Sequence, residues 1–296
     1  MDLAHLELLR ELRDRGTITA VAAAGFRSPS AVSQQLRAAE RSIGVRLVEP
    51  DGRRLRLTAA GRLLADGATE VAERLAHLQR QLDDLQGVPA GAVSICGLPS
   101  ATEALLPELL RRLAGTSISI AISDDDLAEA DYGPQAADHD LVIAHSLAER
   151  PAGTHGLVTQ TLAHEPLDVA LPSSHRLADR ELITPSDLVG EDWIGVPTGF
   201  PFDTVRIAIE NRSGSPLNVV QRIKDNRLVE ALVAAGFGCA LLPRFTTRPR
   251  RGVVTIPLAE VRADRRIVAI TRPDRLQRAA VATTLELLHQ IGAQLR

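Results

Sequence analysis

The sequence predicts an α+β protein of several domains, and three observations support this prediction. The first 60 residues contain short helical patterns followed by a β-hairpin signal, and one long helical pattern then runs to about residue 86. Beyond residue 91, strand-like apolar runs alternate with helical segments, as in α/β folds. The chain has 296 residues, 45% of them hydrophobic and 24% charged, which is enough for more than one core.

Charge is distributed unevenly along the chain. Residues 1–60 contain ten arginines and seven acidic residues, a net charge of +3, whereas the whole chain carries -3. The remainder therefore carries -6, so that a modestly basic head precedes an acidic body. The negative total argues against a nonspecific nucleic-acid coat protein.

The compartment is inferred from the beginning of the chain and from the cysteines. Residues 1–5 contain no basic region followed by an apolar stretch, and no apolar run reaches the ~20 residues that span a bilayer. We therefore expect a cytoplasmic protein with no membrane contact. Cys96 and Cys239 lie far apart in strand-like runs, so buried thiols are expected. A redox-sensing pair is the alternative.

The head begins with the pattern of a helix-turn-helix. Leucines at three-residue steps predict an amphipathic helix over residues 2–14, which Gly16 ends. Thr17 to Thr19 offer a cap for a short helix over residues 20–24, and residues 25–27 form a turn. Ser28 and Pro29 then have the residue types of an N-cap and a first helical residue, and this helix continues to about Arg41.

The second helix of this pair has small residues at its start. Ser30, Ala31 and Ser33 would permit close approach to base edges in a major groove that is about 12 Å wide. Gln34 can reach an adenine or a phosphate. These residues alone fit an ordinary polar helix face equally well.

A basic hairpin follows the two helices. Asp51-Gly52 is a strong turn signal between two apolar-alternating runs, and Arg53, Arg54 and Arg56 lie directly after it. An arginine-tipped hairpin beside a recognition helix is typical of a wing.

The run from Thr17 to Gly61 resembles the DNA-binding domain of LysR-type transcription regulators. The matching pieces are Ser28 to Leu36, Glu40, Gly44 to Leu47, Gly52-Arg53 and Leu57 to Gly61. The resemblance implies a winged helix-turn-helix that binds double-stranded operator DNA. The expected DNA contacts are Ser28, Pro29, Ser30, Ala31, Ser33, Gln34, Arg37, Arg53 and Arg54.

This head departs from the family pattern at several positions. Gly25 and Ala39 replace leucines, and we expect Phe26 to compensate in the small core. Pro50 replaces an arginine at the base of the wing, which would remove one phosphate contact.

The long helical pattern from Thr58 to about Gln86 contains a heptad seam. Its apolar positions, spaced four and three apart, are Leu64, Ala68, Val71, Leu75, Leu78, Leu82 and Leu85. The seam predicts pairing with the same helix of another subunit, in a homodimer or a homotetramer. The alternative is a helix packed on its own domain. Residues 87–91 are rich in glycine and proline and predict a hinge.

The body alternates strands and helices. Strands are predicted at residues 93–97, around Ile118 to Ile122 and at 140–144, and Ser100 with Glu103 has the pattern of a capping box for a helix through Leu113. A second lobe begins near Leu167. Residues 266–270 return to the first lobe, and a last helix starts at about Gln277.

These segments resemble the effector domain of LysR-type regulators, which is two-lobed and related to type 2 periplasmic binding proteins. The matching pieces are residues 167–172, 175–178, 187–188, 232–238 and 241–243. The predicted domains are a DNA-binding domain over 1–58, a linker helix over 59–87 and an effector domain over 91–296. Lobe I comprises 91–162 and 266–296, and lobe II comprises 163–265.

We place the effector in the cleft between the lobes, where strands end and helices begin. The expected site residues are Leu98, Pro99, Ser100, Ala101, Thr102, His145, Ser146, Pro197, Thr198, Gly199 and Phe200. Hydroxyls and helix N–H groups suit a carboxylate, whereas few arginines lie in these segments. Asp124 to Asp126 would add negative potential, so a zwitterionic or basic effector such as an amino acid is favoured over a dianion.

The sequence offers no pattern for catalysis. Its eight histidines lack metal-ligand spacing, and neither a nucleophile elbow nor a phosphate loop occurs. No cofactor or metal is expected, and Asp124 to Asp126 fit a solvated loop. The function predicted is that of a ligand-responsive transcription regulator. A solute-binding protein or an enzyme of the same two-lobed fold is the alternative.

Overall fold

The computed structural model describes residues 2–52, 54–86, 89–247 and 251–295, with side chains given at all of them except 54 and 83–86. The head comes first. Its elements are α1 (Leu3–Arg15), α2 (Ile18–Ala24), α3 (Pro29–Ile43), β1 (Val48–Asp51) and β2 (Arg54–Leu57).

The helix starts in the head follow from local hydrogen bonding. The Thr17 hydroxyl accepts a hydrogen bond from the Ala20 N–H at 3.1 Å, and the Ser28 hydroxyl accepts one from the Ala31 N–H at 3.2 Å. Pro29 takes the first position of α3, where its missing N–H costs nothing. Gly16 ends α1 with a left-handed φ of 72°. The predicted helix-turn-helix is thereby confirmed.

The core of the head lies between its three helices and the hairpin. Leu9 of α1, Val32 of α3 and Ala39 of α3 are completely buried in it. Phe26 does not fill the space beside Gly25, contrary to expectation. It lies in the turn with a left-handed φ of 50°, and its side chain is 99% exposed. The small core is closed instead by leucines of the hairpin and by the next helix.

The long helix α4 (Ala59–Gln86) confirms the helix predicted from Thr58 to about Gln86. Gly61 permits its close approach to the head, because a Cβ there would lie 2.1 Å from the Leu47 carbonyl oxygen. At the N-terminal end, Leu64 packs on the core of the head and Ala68 is buried. Further along, the seam residues are 39 to 54% exposed: Val71, Leu75, Leu78 and Leu82. Among the seam residues whose side chains are described, only the first part is therefore covered by its own domain, and the side chain of Leu85 lies outside the description.

The body contains two lobes that share a continuous path of paired strands. Lobe I begins with β3 (Ala90–Gly97), α5 (Pro99–Leu113), β4 (Ser117–Asp124), α6 (Tyr132–Gln135) and β5 (Leu141–Ser146). β6 (Val158–Pro172) crosses to lobe II, which contains β7 (Asp192–Gly195), α7 (Pro201–Ser213), β8 (Asn218–Arg222), α8 (Asn226–Ala234), β9 (Ala240–Pro243) and β10 (Val253–Pro257). β11 (Asp264–Thr271), α9 (Pro273–Leu276) and α10 (Ala279–Gly292) complete lobe I.

The sheet of lobe I has the order β4-β3-β5-β11-β6, and β9 and β10 flank the second half of β6 in lobe II. β3 pairs in parallel with β4 and β5, whereas β11 is antiparallel to both β5 and β6. The predicted lobe boundaries at residues 163 and 266 fall inside β6 and β11. These two strands thus form the connection between the lobes.

The predicted capping box at the start of α5 is wrong. Leu98 is the N-cap residue, Pro99 is the first helical residue, and no side chain caps this helix. Proline is preorganised for the first helical position, so the helix begins one residue before Ser100 can cap it. The Ser100 hydroxyl is left available to groups between the lobes.

The half-exposed stripe on α4 leads to a prediction about assembly. We expect Leu75→Asp to dissociate the oligomer, because a carboxylate would replace a leucine in the helix pair at a cost of several kcal/mol. Sedimentation equilibrium measures this change. Leu63→Asp is the matched control, since Leu63 lies on the same helix outside the seam and is 72% exposed. Unchanged mass for Leu75→Asp would contradict pairing through α4.

Candidate DNA interface and effector cavity

The recognition helix α3 has one buried and one exposed face. Val32, Leu36 and Ala39 face the core of the head. The opposite side exposes six of the predicted DNA contacts: Ser28, Pro29, Ser30, Ala31, Gln34 and Arg37. This face is free of apolar side chains other than those of Pro29 and Ala31, and the start of a helix suits a phosphate oxygen.

The other predicted DNA contacts are Ser33, Arg53 and Arg54. Ser33 is half-buried, and its hydroxyl donates to the Pro29 carbonyl at 2.9 Å, so it stabilises the start of the helix. Arg53 lies outside the described residues. Arg54 is described only as the first backbone position of β2.

A cavity of about 770 Å³ lies between the two lobes, a size typical of small-molecule sites. Lobe I contributes the start of α5, the loop after β4, the end of β5 and the start of β11. Lobe II contributes the segments around Phe200 and Lys224 and the start of α8. The lining residues are Leu98, Pro99, Ser100, Glu103, Asp124, Asp126, His145, Val196, Phe200, Phe202, Lys224, Asp225, Asn226, Arg227, Glu230, Thr246, Arg251 and Arg265.

Five of the predicted effector residues line this cavity: Leu98, Pro99, Ser100, His145 and Phe200. Others point elsewhere. Ala101 is fully buried in the lobe I core, and the Thr102 hydroxyl donates to the carbonyls of Leu98 and Pro99. The Ser146 hydroxyl donates to Glu129 at 2.6 Å. The remaining three, Pro197, Thr198 and Gly199, precede Phe200 and are not among the lining residues.

A buried ion pair forms the floor of the cavity, and sequence reasoning missed it. Arg265 and Glu165 are each 1% exposed, and they face each other across β11 and β6. The Arg265 Nε lies 2.9 Å and its Nη2 lies 2.7 Å from Glu165 Oε2. Glu165 Oε1 accepts hydrogen bonds from the backbone N–H groups of Phe245 and Thr246, both at 2.6 Å. Both charges are therefore compensated.

Arg265 also organises the cavity wall. Its Nη2 donates to Thr246 Oγ1 at 2.7 Å and to Ser100 Oγ at 3.2 Å, which joins lobe II to the start of α5. Its guanidinium lies 5.7 Å from the ring centre of Phe202, within cation–π range. Strand alternation places Arg265 on the same face as Ile267 and Ala269. Val268 and Ile270 on the other face are equally apolar and buried, so the alternation did not reveal that the arginine points inward.

His145 is buried, and one of its ring nitrogens has no hydrogen-bond partner among the described residues. Its ring packs edge-on against Tyr132 and Phe202, with centroid distances of 6.1 and 5.7 Å. Burial, and then the charge of Arg265, lower its pKa to about 3, so the ring is neutral. Arg265 Nη1 donates to Nδ1 at 3.5 Å, and the proton of the neutral ring therefore lies on Nε2. Nε2 has no hydrogen-bond partner among the described residues.

Carboxylates outnumber cations in the cavity lining. Five acidic residues face four cations, and one of these cations, Arg265, is already paired with Glu165. Asp124 and Asp126 lie on the lobe I side, and burial raises the pKa of Asp126. Lys224 of lobe II donates to the Asp126 carbonyl at 3.1 Å. The lining residues thus include one more acidic residue than cations.

A group of possible metal ligands lies in lobe II, away from the cavity lining. Donor atoms of His175, Glu191 and Cys239 all lie within 4.8 Å of one another. The Leu177 N–H donates to His175 Nδ1 at 3.3 Å, so the proton lies on Nε2, which is 3.0 Å from Glu191 Oε2. Burial raises the pKa of the Cys239 thiol to about 12. The His175 ring and the Glu191 carboxylate are therefore hydrogen-bonded to each other, with the Cys239 thiol beside them.

Both parts of the chain match known protein families. Residues 3–62 match the family described as "Bacterial regulatory helix-turn-helix protein, lysR family", and residues 86–293 match the "LysR substrate binding domain". The chain belongs to the LysR family of transcription regulators. Regulators of this family bind DNA through the helix-turn-helix, bind effectors and form oligomers.

Individual LysR-family proteins are similar over most of this chain. The "DNA-binding transcriptional dual regulator OxyR" of Escherichia coli (strain K12) is 27% identical over 282 residues, which cover 92% of this chain and 90% of that protein. The "Transcriptional activator protein LysR" of the same strain is 28% identical over 258 residues, covering 83% of this chain and 78% of LysR.

Solved structures share the fold of this LysR-family regulator. Full-length OxyR of Pseudomonas aeruginosa superposes with a TM-score of 0.69 at 18% identity, covering 100% of this chain and 95% of that one. CbnR gives a TM-score of 0.56 at 21% identity, with 97% and 100% covered. These likenesses confirm the predicted winged head and two-lobed body. In the described part of the chain, no helix has the length and apolar character needed to traverse a bilayer.

Proposed function

We propose that this LysR-family regulator responds to a small molecule in the cavity between its lobes, and that this effector carries an amino group and a hydrogen-bond acceptor. The observation that carries the proposal is His145, which lines the cavity and whose buried Nε2–H has no partner among the described residues. A buried donor without a partner costs roughly 1–3 kcal/mol. An acceptor on the effector would recover that cost.

The acceptor end of the effector belongs near α5. Ser100 lies in the first turn of this 15-residue helix and lines the cavity together with His145, and a helix start favours negative charge. A carboxylate or a carbonyl oxygen can accept from the Ser100 hydroxyl and from the His145 ring. Arg265 is largely engaged with Glu165, Ser100 and Thr246, so its guanidinium has little capacity left for a second carboxylate.

The amino end belongs near Asp124 and Asp126. Both carboxylates line the cavity on the lobe I side, and an ammonium group would offset the excess of negative charge there. This arrangement favours a zwitterionic or basic compound, such as an amino acid, over a dicarboxylate.

The DNA contacts are proposed on the exposed face of α3 together with the wing. Gln34 and Arg37 lie one helical turn apart on that face, so they can reach adjacent base edges or phosphates. Operator binding would be performed by two heads brought together through the exposed half of the α4 seam. Because chromosomal DNA is the target, we place this activity in the cytoplasm.

Peroxide sensing is a second candidate, since several relatives are named hydrogen peroxide-inducible genes activators. The cysteines of this chain argue against the same response through a thiolate. Cys96 and Cys239 are both free and buried, in different lobes, and burial raises the pKa of each thiol to about 12. A thiol reacts with oxidants as its thiolate, which these environments disfavour.

The DNA proposal predicts a difference between two neighbouring glutamines. Gln34→Ala should weaken operator binding by about 1–3 kcal/mol and relax base selectivity, because a bidentate base contact is lost. Gln35→Ala is the control, since Gln35 donates to the Ala4 carbonyl and accepts from Arg27 inside the head. A gel-shift titration of intergenic DNA beside the gene measures both. Equal behaviour of the two variants would contradict the assignment.

The effector proposal predicts which compounds stabilise the protein. In a thermal-shift panel of amino acids, monoamines and dicarboxylates, we expect stabilisation by amino acids, and we expect Asp126→Asn to weaken it about tenfold or more in apparent affinity. Asp125→Asn is the control, because Asp125 is outside the cavity lining. Its Oδ2 instead accepts from the Cys96 Sγ at 3.6 Å. Stabilisation by dicarboxylates that Asp126→Asn leaves unchanged would contradict the proposal.

A further inference from the structure

The head is docked on lobe I by three ion pairs from one helix. Arg10 Nη1 lies 3.2 Å from Asp274 Oδ2, and Asp14 Oδ2 lies 3.3 Å from Arg272 Nη1. Arg15 donates two hydrogen bonds to Asp138, at 2.7 and 3.0 Å. All three head residues lie on α1, whereas their partners come from the loop before β5 and from the segment that follows β11. We call these six residues the latch.

The latch is partly desolvated. The side chains of Arg272, Arg10 and Asp274 are 5%, 14% and 16% exposed, so these charges depend on the docked arrangement. Two guanidinium nitrogens, Arg10 Nε and Arg272 Nη2, are buried without a partner among the described residues. Such donors offset part of the gain from the ion pairs. The docked head is therefore held by a contact with a small net free energy, as a reversible switch requires.

Two neighbouring strands connect the latch to the effector cavity. β11 begins at the cavity with Arg265 and ends at the latch, where Arg272 follows its last residue. β5 runs the opposite way, from the region of Asp138 to His145 in the cavity lining. The strands are antiparallel partners, so both span the same distance of about 20 Å.

The latch ends of the two strands are also fastened to each other. Thr271 Oγ1 donates to the Asp140 carbonyl at 2.6 Å, and the Asp140 carboxylate accepts from Arg275 and Arg278 at 3.1 and 2.6 Å. The opposite ends are joined by the contact of Arg265 with His145. β5 and β11 thus form one rigid unit with the cavity at one end and the head at the other.

We propose that the latch couples the effector cavity to the position of the DNA-binding head, with β5 and β11 transmitting a shift of Arg265 or His145 to Arg272 and Asp138. This inference rests on the proposed function, because it takes the cavity as the effector site. The latch residues are positioning residues that do not touch DNA or effector. Packed strands transmit small displacements because they do not deform continuously.

The test is a charge-swap cycle on Arg15 and Asp138, the pair joined by two hydrogen bonds, performed with the full-length protein and no effector. Arg15 also donates to Glu11 on its own helix, and Glu11 is kept unchanged in every variant. Arg15→Glu and Asp138→Arg each replace attraction by repulsion, and the double variant restores an ion pair. We expect each single variant to change the dissociation constant for the intergenic DNA by about fivefold or more. The double variant should return to within about twofold of wild type. Fluorescence anisotropy at fixed salt measures all three.

A control pair lies on α4. Glu73 and Arg80 lie outside the heptad seam and are not among the latch residues. Glu73→Arg and Arg80→Glu alter the net charge as Asp138→Arg and Arg15→Glu do, so they measure the electrostatic effect on DNA affinity without a change in the latch. Arg15→Gln and Asp138→Asn provide a neutral cycle should a reversed variant fail to fold. In that cycle, removing either partner should change DNA affinity as much as removing both.

The latch is overturned if the Arg15 and Asp138 variants match the Arg80 and Glu73 controls, or if their effects add without restoration. Either result would leave the cavity assignment intact, since no effector enters the measurement. Failure of the amino acid panel would conversely leave the charge-swap result unaffected.

Discussion

The ion pair between Arg265 and Glu165 is the interaction on which the organisation of the body depends. Both side chains are withdrawn from water, and a buried charge without compensation would cost several kcal/mol. The pair is tolerated because two backbone N–H groups and a hydroxyl complete the coordination of the carboxylate. Few other arrangements of β6, β11 and the Thr246 segment could satisfy all of these groups. The pair therefore specifies geometry more than it adds stability.

Its location explains how one fold supports both a hinge and a binding site. β6 and β11 are the strands that connect the lobes. The ion pair lies where both strands pass from one lobe to the other, at the floor of the cavity. Ser100 and His145 are held against the same guanidinium, so the lobe I wall is preorganised by hydrogen bonds that exist before any effector binds. The unused donor of His145 is the consequence of this arrangement that points to a ligand.

Local patterns in the sequence predicted much of this architecture. Ser28 followed by Pro29 located the recognition helix, because capping chemistry and proline geometry act over a few residues. The seam of α4 was likewise visible as a periodicity. The prediction of a capping box at Ser100 was wrong for a local reason, since the preceding proline starts the helix earlier. The prediction that Phe26 fills the small core was also wrong, because the left-handed turn conformation of this residue directs its side chain away from the core.

The residues that line the cavity were predicted only in part. Those that were not predicted were missed for a common reason. Leu98 to Ser100 and His145 follow strands directly, so their position at the sheet edge could be derived from topology. Arg265 stands in a run of charged residues that suggests an exposed loop, and its partner is 100 positions away. Whether a charged residue is buried depends on that partner. Such a pairing is set by the register of β6 and β11, which no local pattern encodes.

The central claim is that the Arg265–Glu165 pair holds the cavity floor and the junction between the lobes. Urea unfolding of Arg265→Met tests it most directly, with Trp193, the single tryptophan and a core residue of lobe II, as the fluorescent reporter. We expect a loss of about 3–5 kcal/mol in the free energy of unfolding, because Glu165 is left buried and unpaired. Arg262→Met, which removes a pair with Asp264 made by a 72% exposed arginine, should cost less than about 1 kcal/mol. Equal stability of the two variants would contradict the claim.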